Sequence, residues 1–156
     1  MGMESLRAIA NRNITKVTFH GVPDRPGIAA DIFGSLGVQG VNVELVLSTG
    51  GSQGSADISL AISRSQEESV LGILEALRKE IGAHSLQRNS RVCLVSLLGH
   101  GLQTEPGIAG RMFGALSRAG INIEAISTSM SSVTCMIEEA QCATALEALE
   151  REFQLA

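Results

Sequence analysis

Apolar positions change period several times along the first half of the chain, and each change predicts an element. Ile14 to Val22 is rich in β-branched residues and closes on Pro23-Asp24-Arg25-Pro26-Gly27, which reads as a strand running into a turn. Ile28, Ile32, Phe33 and Leu36 then recur at helical spacing until Gly40, predicting a helix with one buried face. From Val41 the period becomes two: Val41, Val43, Leu45 and Leu47 alternate with Asn42, Glu44, Val46 and Ser48, as in a half-buried strand. Gly50 to Gly54 predicts a hairpin loop, and Ala56 to Ile62 a third strand. Ser65 with Glu68 has the spacing of a capping box, ahead of a helix whose stripe is Val70, Ile73, Leu74, Leu77 and Ile81. His84 to Asn89 is a candidate closing strand.

The same order recurs. Sliding the chain by 80 positions superposes Pro26-Gly27-Ile28-Ala29 on Pro106-Gly107-Ile108-Ala109, and ten of the 19 positions from 26 to 44 are identical. The second copy predicts a strand over 91–99, a helix over 107–119, strands over 121–128 and 131–138, and a helix over 140–153. A βαββαβ order needs a closing strand, and nothing after Phe153 is long enough to supply it. The unassigned apolar segment Ser5 to Ala10 is the expected substitute, a loose tail being the other reading of it. The expected division is therefore one module over 13–90 and another over 4–12 plus 91–156, an α+β architecture with antiparallel sheets and helices on one face.

Composition narrows the partners. With 156 residues, 44% of them apolar and 18% charged, the chain suits two small modules. A net charge of −4, without a long Lys/Arg run, argues against nucleic acid, whose binding rests on neutralised phosphates. The absence of Trp and Tyr, with only four Phe, removes a base-stacking platform. Apolar runs are strand-sized, so no membrane span is expected. Cys93, Cys135 and Cys142 have neither a disulfide framework nor metal-ligand spacing, and a reducing cytoplasm is the expected compartment. Cys142, at a helix start, is the candidate for a reactive thiol.

Candidate chemistry gathers at the repeated turn. Pro26 suits a first helical position, where a missing N–H costs nothing, and the N–H groups of Gly27, Ile28 and Ala29 would then lack intrahelical acceptors. Such a helix start attracts a carboxylate, and Gly27 leaves room for close approach. Asp24 either caps the helix or binds a ligand ammonium. Asn42, at the start of the next strand, offers a donor and an acceptor. These groups suit the two poles of an α-amino acid, although the same residues also make an ordinary turn and helix start. Neither a phosphate loop nor a clustered acid, base and nucleophile is present, and no catalysis, metal or cofactor is expected.

Gly21-Val22-Pro23-Asp24-Arg25-Pro26-Gly27-Ile28-Ala29-Ala30, Asn42-Val43-Glu44, and Gly120-Ile121-Asn122-Ile123-Glu124-Ala125-Ile126-Ser127-Thr128-Ser129 together resemble the tandem ACT regulatory region of aspartokinases, over nearly the whole chain. The resemblance implies two ferredoxin-like modules, the second completed by the N-terminal strand, and no catalytic domain within this chain. It implies a homodimer through the ACT modules, a partner aspartokinase catalytic domain, and feedback effectors, lysine and threonine, held between the first module of one chain and the second of the other. By that resemblance Asp24, Gly27, Ile28, Ala29, Asn42, Asn122 and Ile123 are effector contacts, together with Ser48 and Ser129. Ser48 stands where the family often has Gln, and Met130 where it often has Glu after Ile-Ser-Thr-Ser. Without that carboxylate a lysine ammonium loses a partner, which favours threonine.

Overall fold

In a computed structural model the described residues are 6–50, 54–100, 102 and 105–155. The chain divides into two compact units, one of Asn13–Ser90 and one of Met1–Arg12 with Arg91–Ala156.

In the Asn13–Ser90 unit the order is β2 (Ile14–Pro23), α1 (Ile28–Val38), β3 (Val43–Gly50), β4 (Ser55–Ser63), α2 (Glu67–Ile81) and β5 (Ser85–Asn89). The antiparallel sheet has the order β3-β4-β2-β5. Ile28, Ile32 and Leu36 of α1 and Val70, Leu74, Leu77 and Ile81 of α2 repeat at three and four residues, so each helix lays one stripe on the sheet. They close a core with Val17, Phe19, Ile58, Leu60 and Ile62. Thr15 is fully buried, and its hydroxyl donates to Glu67 Oε1 at 2.6 Å, which satisfies it.

The other unit contains β1 (Arg7–Asn11), β6 (Val92–Leu98), α3 (Ile108–Arg118), β7 (Ala125–Thr128), β8 (Ser132–Glu138) and α4 (Cys142–Glu152), with sheet order β1-β6-β8-β7. β1 runs antiparallel to β6 from Arg7↔Leu98 to Asn11↔Leu94, and Leu6 joins the core beside Cys93, Val95, Leu97, Met112 and Leu116. Among the described residues, eight strands in two antiparallel sheets with four α-helices make the fold two ferredoxin-like modules in tandem.

Several local expectations change. Neither helix starts on its proline or glycine: Gly27 and Gly107 both have φ of 90°, left-handed and incompatible with a helical residue, so α1 and α3 begin at Ile28 and Ile108. The capping box does not form. Arg64–Gln66 make a 3₁₀ turn, the Ser65 N–H donates to Asn13 Oδ1 at 3.0 Å, and the helix opens at Glu67. A similar turn, Glu139–Gln141, delays α4 to Cys142. Strands β3 and β7 start later than their apolar alternation suggests, because residues just before them complete the helix ends: Val41 N–H bonds Leu36 O, and Ile121 N–H bonds Leu116 O, each at 3.0 Å. Cys142 is fully buried, on the α4 stripe with Ala145 and Leu149, and is no exposed thiol. The proposed hairpin loop falls partly on 51–53, and the N-terminal segment partly on 4–5, outside the described residues.

Candidate functional site

β2 delivers the chain into the turn 24–27, whose base is fixed when the Asp24 N–H bonds Gly54 O at 2.9 Å, beside the β3–β4 hairpin. Asp24 is exposed and gives α1 no side-chain cap. The Ile28 N–H reaches Arg25 O at 3.3 Å, while the N–H groups of Gly27 and Ala29 meet no acceptor among the described residues. Two donors at the positive end of α1 are therefore available to a ligand. A Cβ placed on Gly27 would meet only Arg25 Nη1, at 4.0 Å, and one on Gly107 would meet nothing within 4 Å. The glycines serve the backbone angle, and the space above them stays open.

Arg25, a residue the sequence reading passed over, curls over this opening and pairs with Asp31 at 3.2 Å. Two further residues also escaped it. Gln66 Nε2 donates to Gly40 O at 3.3 Å while its Oε1 accepts the Asn42 N–H at 3.4 Å; in the other module Gln141 Nε2 donates to Gly120 O at 3.3 Å. These glutamines fasten the turn after α1 and α3. The signal for them was a second alignment, offset by 75 positions, that places Gln66 on Gln141.

The structure brings only some of the candidate residues together. Ser48 pairs with Ile58, and Pro23 with Ser55, so Asp24, Gly27, Ile28, Ala29 and Ser48 belong to one end of the sheet. Asn42 does not. It precedes Val43, which pairs with Ile62, seven residues along β4 from Ser55 and thus about 23 Å away. The expectation that Asn42 and Gly27 hold opposite poles of one ligand within a module is corrected by this geometry. In the second module Asn122 is exposed and Ile123 half-buried just before β7, whose start pairs with Met136, whereas β6 ends toward α3 opposite Ser132. Ser129 turns inward on its own hairpin: its Oγ lies 2.7 Å from Ser132 Oγ and accepts the Ser131 N–H at 3.3 Å.

Electrostatics elsewhere are modest. His20 Nε2 contacts Gln87 Oε1 at 2.8 Å and Nδ1 contacts Asp57 Oδ2 at 3.1 Å; these bonds, Gln87 first, raise the imidazole above its usual range. Asp57 is held low chiefly by the Gly21 N–H at 3.0 Å. Burial pushes the Cys93 thiol up to about 12 and Cys135 to about 11. Among the described residues no group of three His, Cys, Asp or Glu is placed to hold a metal, and no helix is long and apolar enough to cross a membrane.

Comparison with known proteins adds a family. Residues 95–153 match the ACT domain model. An aspartate kinase of Pseudomonas fluorescens is 34% identical over 145 residues, which cover 93% of this chain and 35% of that protein; the chain thus spans about a third of the curated relatives it matches. Among solved structures, the chain is similar to one of the aspartokinase alpha and beta subunits, with a TM-score of 0.87, 32% identity, and 95% and 97% of the two chains covered. It is also similar to the ligand-free regulatory subunit of aspartate kinase from Thermus thermophilus, with a TM-score of 0.88, 27% identity, and coverage of 94% and 96%.

Proposed function

The chain belongs to the aspartokinase family as an ACT-domain regulatory part, and from that membership we propose that it is a threonine sensor that restrains an aspartate kinase catalytic domain. The observation that carries this reading is the pair of glycine-opened helix starts, each with the same left-handed φ of 90° and open space above. A carboxylate seated there accepts the free N–H groups and meets the positive end of the helix. The ammonium and hydroxyl of threonine then need neutral or anionic acceptors, which Asp24, Ser48 and an asparagine-bearing strand start supply.

Within one module the helix start and the asparagine lie at opposite ends of the sheet, so a ligand touching both needs a second module laid antiparallel beside the first. A homodimer opposing the first module of one chain to the second of the other meets that need, with Asn122 and Ile123 completing the site at Gly27. Val46 and Ile126, equivalent positions 50% and 45% exposed on the edge strands β3 and β7, supply apolar surface for such a pair to cover. Met130 is 73% exposed and offers no carboxylate to a lysine side chain, which favours threonine. Inhibition of the cytoplasmic kinase follows if threonine binds one arrangement of the assembly better than the other, since equal affinity would shift nothing.

Thermal unfolding against a panel of amino acids tests the proposal. Threonine at 100 times its dissociation constant adds about 2.7 kcal/mol of stability and a clear rise in midpoint. A rise with lysine alone reassigns the effector. No rise with any amino acid leaves an assembly module that binds none.

A further inference from the structure

We propose that the cavity at one corner of the second module's sheet, where β1 begins, β6 ends and β8 begins, binds a small organic carboxylate, with the Arg7 guanidinium as its cationic partner. The cavity has a volume of about 250 Å³ and is lined by Arg7, Leu98, Gly99, His100 and Ser131. Strand pairing builds it. Arg7 stands opposite Leu98, Leu98 opposite Ser132, and the Gly99 N–H extends the ladder to Ser131 O at 2.9 Å. Ala8 and Ala10 pack against the core, so Arg7, alternating with them, stands on the face of the sheet away from the helices. The lining comes from strand ends, not from a helix terminus whose dipole would act on a charged ligand. The side chains of Arg7, His100 and Ser131 make no hydrogen bond or ion pair with any described residue. Arg7 brings the one permanent charge in this lining, and its planar fork matches a carboxylate.

The internal repeat shows what fills this corner in the other module. An offset of 78 positions sets Leu98 on His20 and Gly99 on Gly21, and an offset of 75 sets Ser132 on Asp57. The first module holds a carboxylate of its own there: Asp57 Oδ2 lies 3.1 Å from His20 Nδ1, and Oδ1 accepts the Gly21 N–H at 3.0 Å. In the second module a serine replaces that aspartate, and its Oγ lies 2.7 Å from Ser129 Oγ. The cation has moved to Arg7, which stands opposite Leu98 as Ser85 stands opposite His20. Among the described residues the second corner thus keeps a cation and lacks the anion. A carboxylate from outside takes the part that Asp57 plays in the first module, and Leu98 gives the ligand's carbon chain an apolar contact.

The test is amide NMR of the full chain titrated at constant ionic strength with butyrate, with butyramide as its neutral counterpart, and with inorganic phosphate. Saturable butyrate shifts at Leu98, Gly99, His100 and Ser131 are expected, and none with butyramide. Arg7→Gln removes an exposed side chain without an internal bond, so the fold persists, and it weakens butyrate binding at least about tenfold through loss of a charge-assisted bond. Arg7→Lys, which keeps the charge without the fork, restores part of that loss. Ser132→Asp, which returns an internal carboxylate to the corner, blocks butyrate while Arg7 is still present. Lys79→Gln, which removes a positive charge from the first module, leaves the affinity unchanged. The proposal is overturned if butyrate gives no saturable shift, if butyramide matches it, or if Arg7→Gln binds as the parent does. Phosphate binding more tightly than butyrate also overturns it and assigns the cavity to a phosphate.

Discussion

Leu6 reports on how the strand from the far end of the sequence is built into the second module. Its side chain is 5% exposed and packs in the core with Val95, Leu97 and Leu116, just before β1 pairs with β6. Truncating a buried leucine to alanine costs about 3 kcal/mol when the cavity relaxes only partly. In a module of this size that corresponds to a fall in midpoint on the order of 15 °C. The neighbouring backbone sharpens the test. A Cβ on Gly99 would stand 2.5 Å from Leu6 Cδ2, so Gly99→Ala forces the leucine from its place. With Leu6→Ala already present that methyl group is gone, and Gly99→Ala costs little more. The double-mutant cycle therefore shows a coupling of about 1–2 kcal/mol, in the direction of relief. Hydrogen exchange gives the local readout: Leu6→Ala deprotects the amides of β6 and β8 first. If β6 keeps its full protection, or if the two substitutions add, the packing of the N-terminal strand described above is wrong.

Three further outcomes follow from the geometry. His20 titrates above its ordinary value because Gln87 and Asp57 favour its charged form, so its stabilising contribution is complete below about pH 6.5 and is lost as pH rises through the folded value; NMR titration of Gln87→Leu should move its midpoint down, and an unmoved midpoint would show that the bond does not form. Cys93, Cys135 and Cys142 are all buried, and the first two thiols are held far above neutrality, so a disulfide reagent at pH 8 should modify none in the native chain and all three in denaturant; prompt labelling of one thiol contradicts the burial. Gly107→Ala should cost about 1–2 kcal/mol in urea unfolding although nothing crowds the site, because alanine resists the left-handed angle; a neutral substitution would mean that the turn adopts another conformation.

Much of the architecture could be read from residues because its punctuation is local. Pro-Gly before each helix, Gly-x-Asn after it, and a change of apolar period at Val41 and Ile121 mark the same boundaries twice. What escaped depends on how far an element carries the chain. The turn at Gly27 and the asparagine at 42 are close in sequence, yet α1 runs about 16 Å back along the sheet between them, so the next strand begins at the far end. Tertiary competition decided two others. The Ser65 N–H is drawn to Asn13 and Arg64–Gln66 close a 3₁₀ turn, so the helix opens at Glu67, past Ser65, which leaves Ser65 and Glu68 no capping box. Cys142 stands at a helix start but also on the inner stripe, and burial prevails over the exposure its position suggests.

The central claim, that the glycine-opened helix start holds the carboxylate of threonine, is tested most directly by amide NMR of the full chain during a threonine titration. The account predicts saturable shifts at Gly27, Ile28 and Ala29 and, through the opposed module of a second copy, at Asn122 and Ile123, all abolished by Gly27→Val. Binding that leaves those amides unmoved, or that survives Gly27→Val, would contradict it.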